Sequence, residues 1–115
     1  MSRAGSESSA AKRRQHAAVF AALGDETRLS LVHALAGGVP RSIAALSGGA
    51  KISRQAITKH LRVLEHAGIV HSVRAGRESL FGFDPAPMNE LRDYLTRVSA
   101  QWDEVLSRLK SLVES

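Results

Sequence analysis

The stretch SRQAITKHLRVLEHAGIV, Ser53 to Val70, decides the fold. Ser53 is a good N-cap, and Gly68 ends the pattern, so the spacing predicts a helix between them. At 100° per residue, Ala56, Ile57, His60, Leu61, Val63, Leu64 and Ala67 fall within one half of the wheel. Arg54, Gln55, Thr58, Lys59, Arg62, Glu65 and His66 share an arc of about 140° on the other side. That arc holds several basic groups beside an amide and a hydroxyl, with a single acid. A merely solvated face more often mixes in several acids, so the arc suits a polyanion.

Two short β candidates follow, Ile69 to Arg74 and Ser79 to Asp84, joined by Ala75-Gly76-Arg77-Glu78. Gly76 supplies the turn, and Arg74 and Arg77 would project from the hairpin tip. Upstream, Ser42 caps a short helix through about Leu46, which Ser47-Gly48-Gly49 breaks. A helix from Asp25 to about Ala36 ends at Gly37-Gly38, and an earlier one runs from about Lys12 to Leu23 and stops at Gly24. Residues 1–11 are small, polar and aperiodic and read as a disordered tail, leaving residues 12–115 as one domain. Pro85 and Pro87 punctuate the chain before the last helix.

That last helix, 88–113, carries Met88, Leu91, Leu95, Val98, Trp102, Val105, Leu109 and Leu112 at alternating spacings of three and four. Asp93–Arg97 and Glu104–Arg108 flank the seam as i,i+4 pairs. A heptad seam wants a long partner helix, and none lies downstream. A second copy of the chain is the natural partner; packing on the helix's own domain is the alternative.

Composition narrows the function classes. Apolar residues at 43% and charged ones at 23% make an ordinary globular chain. Zero cysteines exclude a disulfide scaffold, thiolate metal sites and a Cys nucleophile. Nothing approaches 18 consecutive apolar residues, so no membrane span is expected. Lys12-Arg13-Arg14 with Ala17 to Leu23 lacks the cleavage site of a signal peptide and reads as a helix of a cytoplasmic protein. Residues 1–83 carry twelve basic and five acidic side chains, whereas residues 84–115 carry four and six. Gly37-Gly38 and Gly48-Gly49 lack the Lys-Ser/Thr of a phosphate loop, and no local motif suggests a catalytic triad or a cofactor.

A short helix, a break, a helix with a basic outer face and a hairpin together make a winged helix-turn-helix. LGDETRL (Leu23 to Leu29), the Ser53–Val70 stretch and the RAGRES wing resemble the ArsR/SmtB-type transcriptional regulators. The resemblance covers about residues 15–112. It implies a mainly α domain with a small β-hairpin, acting as a homodimeric DNA-binding repressor. Its dimer would form through the first and last helices, here Phe20 with Leu91, Leu95, Val98, Trp102, Val105 and Leu109. Many such proteins release DNA when metal binds. Their cysteine motif would fall on Ser42 to Leu46, where there is no Cys, and their other common site needs His on the last helix, where there is none. No metal site is therefore expected, and any small-molecule inducer is unidentified. Ser47 to Lys51 is longer than the family's usual turn before the recognition helix.

Within that frame Ser53 starts the recognition helix and is counted with the DNA-binding residues, Arg54 suits guanine, Gln55 suits adenine, and Thr58 suits a base or a phosphate. Lys59, Arg62, Arg74 and Arg77 suit phosphates, which position without specifying. The expected partners are double-stranded DNA and a second copy of the chain. His60, in the apolar arc, reads as a hydrogen-bonded structural histidine. Arg28 reads as a structural ion pair or cap, and His66 with His71 and Glu65 is no recognised ligand set. A sequence-tolerant architectural DNA binder is one other class. A dimeric protein-interaction module without DNA binding is another, and an enzyme fits least.

Overall fold

The computed structural model describes residues 2–48 and 51–114. Helix α1 spans Ser2–Leu23, α2 Glu26–Leu35, α3 Ile43–Ser47, α4 Arg54–His66 and α5 Pro85–Glu114. Strands β1 (Arg41–Ser42), β2 (Val70–Ala75) and β3 (Glu78–Phe83) form one antiparallel sheet in the order β1-β3-β2. Gly49 and Ala50, part of the expected break after α3, lie outside the described residues.

Local chemistry accounts for most of the boundaries. Asp25, Ser42 and Ser53 are extended residues whose side chains each accept the backbone N–H three positions on, from Arg28, Ala45 and Ala56. Each satisfies one of the donors that a helix start leaves without an internal partner. Gly68, at φ 80°, closes α4 in the left-handed conformation that favours glycine. Gly76, at φ 63°, occupies the first central position of the two-residue hairpin turn, where Gly relieves the steric cost.

Three boundaries differ from the sequence expectation. The first helix begins at Ser2 rather than near Lys12. The sheet gains β1: Arg41 pairs with Phe81 and Ser42 with Leu80 on the free edge of the hairpin. The last helix begins at Pro85, so the prolines open it instead of preceding it. The first helical N–H groups have no intrahelical acceptor, so proline loses nothing there, and the Asp84 carboxylate accepts from Ala86 N at 3.1 Å.

The core lies where α4 crosses the other elements. Leu35, Ile57, Leu61, Leu64, Ile69 and Phe81 are fully enclosed, with Val19 and Ala22 of α1, Leu31 of α2 and Leu91 of α5 closing its margins. The stacked rings of His16 and Tyr94, 4.8 Å apart, also join α1 to α5. Beyond Val98, every residue of α5 is exposed through Glu114. The long axis of the molecule is 66 Å. No helix among the described residues is long and apolar enough to cross a membrane.

Candidate nucleic-acid interface

The helix-turn-helix is α3 followed by α4, with the hairpin β2–β3 behind it as the wing. Ile57, Leu61 and Leu64 anchor α4 in the core, which turns the opposite arc outward. Ser53, Arg54, Gln55 and Lys59 are exposed along that arc, and Thr58 is half-buried. Among the described residues, the side chains of Arg54, Gln55 and Lys59 make no hydrogen bond or ion pair within the protein. Arg74 and Arg77 are likewise exposed and unpaired, Arg77 in the turn itself. The start of a 13-residue helix also presents a partial positive charge.

Three predicted contacts are already engaged, Ser53 among them, since its Oγ accepts from Ala56 N at 3.2 Å as the helix cap. Thr58 Oγ1 donates to the Arg54 carbonyl at 2.8 Å, which leaves the hydroxyl able to accept but not to donate. Arg62 is tied down more fully. Its Nη1 donates to Glu65 Oε1 at 2.8 Å, and its guanidinium lies 5.8 Å from the centre of the Phe81 ring. Ser72 of β2 donates to the other carboxylate oxygen of Glu65 at 2.9 Å. Arg62 therefore forms part of a bridge from α4 to the wing strand rather than standing free beside Lys59. The Arg62 and Ser72 hydrogen bonds hold the Glu65 carboxyl below its usual range, so it is an anion at neutral pH. The i,i+3 spacing of Arg62 and Glu65 was a visible hint; the role of Ser72 was not, because only the folded chain brings β2 to α4.

A second polar cluster ties the reading helix to α1. Arg28 Nε donates to the Ala22 carbonyl at 2.5 Å and Nη2 to the Ala21 carbonyl at 3.5 Å, capping the C-terminal end of α1. His60 of α4 is half-buried, with Nδ1 3.4 Å from Arg28 Nη1 and 3.8 Å from Asp25 Oδ2. The backbone N–H of Arg28, foremost, lowers the Asp25 pKa. Arg28 and His60 thus have structural partners. His66 faces a cleft between α1 and α5, whereas His71 lies against Gly82 on the sheet. Among the described residues, no group of three or more His, Cys, Asp or Glu side chains is placed to hold a metal ion.

The proposed seam divides at Leu95. Leu91 is only 4% exposed and belongs to the protomer's own core, so it is not available to a partner. The heptad period marked its helix face without saying which neighbour covers it. Leu95, Trp102, Val105, Leu109 and Leu112 are exposed, Val98 is half-buried, and Phe20 of α1 is exposed. Glu104 pairs with Arg108 at 3.4 Å, as the spacing predicts, but Asp93 pairs with Arg92 at 3.9 Å instead of with Arg97.

A capped recognition helix with a basic outer face and a wing behind it defines a winged helix-turn-helix of the DNA-binding class. Residues 23–73 match a family described as a helix-turn-helix domain. The chain is 34% identical over 94 residues to the HTH-type transcriptional regulator Rv2034 of Mycobacterium tuberculosis, covering 82% of this chain and 84% of that protein. An ArsR-like transcriptional regulator from Rhodococcus sp. RHA1 superposes with a TM-score of 0.77 at 38% identity, covering 89% of this chain and 95% of the other. A Mycobacterium bovis domain described as a homodimeric winged helix-turn-helix DNA-binding domain shares the fold, with a TM-score of 0.62 at 24% identity over 87% of this chain and 89% of its own. The chain belongs to the ArsR family of transcriptional regulators.

Proposed function

We propose that this regulator binds an imperfect inverted repeat as a homodimer and represses the adjoining promoter by blocking polymerase. The observation that carries this reading is the pairing, on one chain, of a free basic reading face with an uncovered apolar stripe on α5. One protomer offers one recognition helix, which reads one half-site. A two-fold pair joined along Leu95, Trp102, Val105 and Leu109 would place two such helices in successive major grooves, about one helical turn apart. The homodimeric description of the Mycobacterium bovis neighbour supports the same arrangement. Arg54 and Gln55 would read base edges, with Ser53 and Thr58 beside them, while Lys59, Arg74 and Arg77 would neutralise phosphates.

The test starts from genomic fragments selected by the purified protein. Footprinting on a selected fragment is expected to show two protected half-sites related by an inverted repeat. Run-off transcription from the overlapping promoter should fall as protein is added. Protection of a single half-site by a monomer would overturn the dimeric reading. Increased transcription would overturn repression.

A further inference from the structure

Arg62 lies on the basic arc of α4, eight residues from Arg54 and hence about 12 Å further along the helix axis. A free arginine there would meet the next stretch of sugar–phosphate backbone. Instead its Nη1 is 2.8 Å from one oxygen of Glu65, and the other oxygen accepts from Ser72 at 2.9 Å. Both carboxylate oxygens are thus occupied, one by the cation and one by the wing strand. The Phe81 ring lies 5.8 Å beneath the guanidinium and gives it a second favourable contact. Arg62 is still 55% exposed along its side chain, so it is screened by a partner rather than by burial.

Glu65 is the single acid on the DNA-facing arc, and its position has a consequence for overall affinity. Each cation that reaches a phosphate adds affinity for every sequence alike, because phosphate contacts carry no base information. A carboxylate that neutralises one such cation removes that increment from operator and random DNA equally. The ratio of operator to random-DNA affinity is left to Arg54 and Gln55, while overall affinity and its salt dependence fall. A surface ion pair alone is weak. Here the hydroxyl of Ser72 fixes the carboxylate, so its orientation towards Arg62 is set by the fold.

We propose that Glu65 is an affinity-limiting residue that withholds Arg62 from the phosphate backbone, its carboxylate anchored by Ser72 of the wing. The proposal rests on the DNA-binding reading above. Glu65 is a positioning residue in this scheme, because it acts through Arg62 and touches no base.

The experiment compares a selected operator duplex with a random duplex of the same length, by fluorescence anisotropy over a range of salt concentrations. Glu65→Gln keeps the side-chain size and removes the charge. It is expected to tighten random-DNA binding about three- to tenfold at low salt and to steepen the log K against log salt slope by about 0.9, the signature of one added phosphate contact. Arg62→Ala in the parent should leave the slope unchanged, and in the Glu65→Gln background it should erase the gain. Unchanged or weaker random-DNA binding by Glu65→Gln would overturn the proposal. So would a shallower slope for Arg62→Ala alone, a measurement that does not depend on the Glu65 variant folding. If the parent binds neither duplex, the DNA-binding reading falls with it. A parent that binds both, with no slope change in Glu65→Gln, refutes the withholding alone.

Discussion

Trp102→Ala separates the stability of the protomer from that of the proposed dimer. The indole is 61% exposed and lies outside the core built on Leu35, Leu61 and Phe81, so its loss should leave the winged domain folded. A Trp side chain offers up to about 250 Å² to a partner, which leaves roughly 150 Å² still to be covered here. At ~25 cal/mol per Å², incomplete coverage gives about 2–3 kcal/mol per copy. A two-fold dimer loses that contribution twice, so its Kd should rise by roughly 10³- to 10⁴-fold. Leu91→Ala, on the same stripe but buried in the protomer, should instead cost about 2–5 kcal/mol of folding stability in urea unfolding. Sedimentation velocity across nanomolar to micromolar protein measures the first effect. Since Trp102 is the single tryptophan, its emission reports the same event, blue-shifted in the dimer and red-shifted in the monomer. A parent that is monomeric at micromolar concentration with red-shifted emission would refute the seam. An alanine variant that dimerises as tightly as the parent would refute the role of Trp102 as its anchor.

Four further outcomes follow. Arg54→Ala or Gln55→Ala should cost about 1–3 kcal/mol on the operator and relax base preference at one position per half-site, as competition binding against mutated operators would show. Arg77→Ala should weaken operator and random DNA alike and make the salt slope shallower by about 0.9; equal losses on both DNAs for Arg54→Ala would refute its base-reading role. Operator affinity should be the same in EDTA and in stoichiometric Zn(II), Ni(II) or Cd(II), because the chain has no cysteine and α5 has no histidine; a tenfold release would contradict this. Asp25→Ala should destabilise the protein most at neutral pH. The Asp25 pKa is lowered on folding, so its contribution is complete above the unfolded value of about 4 and is lost as pH falls through the folded one. Thermal unfolding of variant and parent should therefore converge in acid, and a gap that stays constant down to pH 2 would exclude the charge as its source.

The reading helix was legible because three local signals agreed: the Ser53 cap, the two-sided wheel and the terminal Gly68. The wing was legible from Gly76 between β-branched and aromatic residues. What escaped was decided by partners distant in sequence. β1 is two residues long and has no periodicity of its own; it is a strand only because Phe81 and Leu80 present a free edge to it. Arg62 looked like another phosphate contact because its polar arc is clear, while the hydroxyl that fixes Glu65 comes from a strand seven residues away. Asp93 had two arginines within reach, and spacing alone favoured the one it does not use. Pro85 and Pro87 read as breakers, though a proline loses no helical hydrogen bond in a first turn.

The polar cluster at Arg28 bears on how the two halves of the molecule are joined. Its guanidinium holds the last carbonyls of α1, the helix that carries Phe20, and also contacts His60, on α4 between the base-reading and core-packed residues. The chain of contacts from the proposed seam to the reading face is therefore short: Phe20 lies two residues from Ala22, Ala22 bonds to Arg28, and Arg28 bonds to His60. The links are hydrogen bonds of partly buried or exposed groups and a stretch of helix backbone. A direct link of this kind between the two faces suits a regulator that reads two half-sites, since groove spacing fixes the distance between recognition helices.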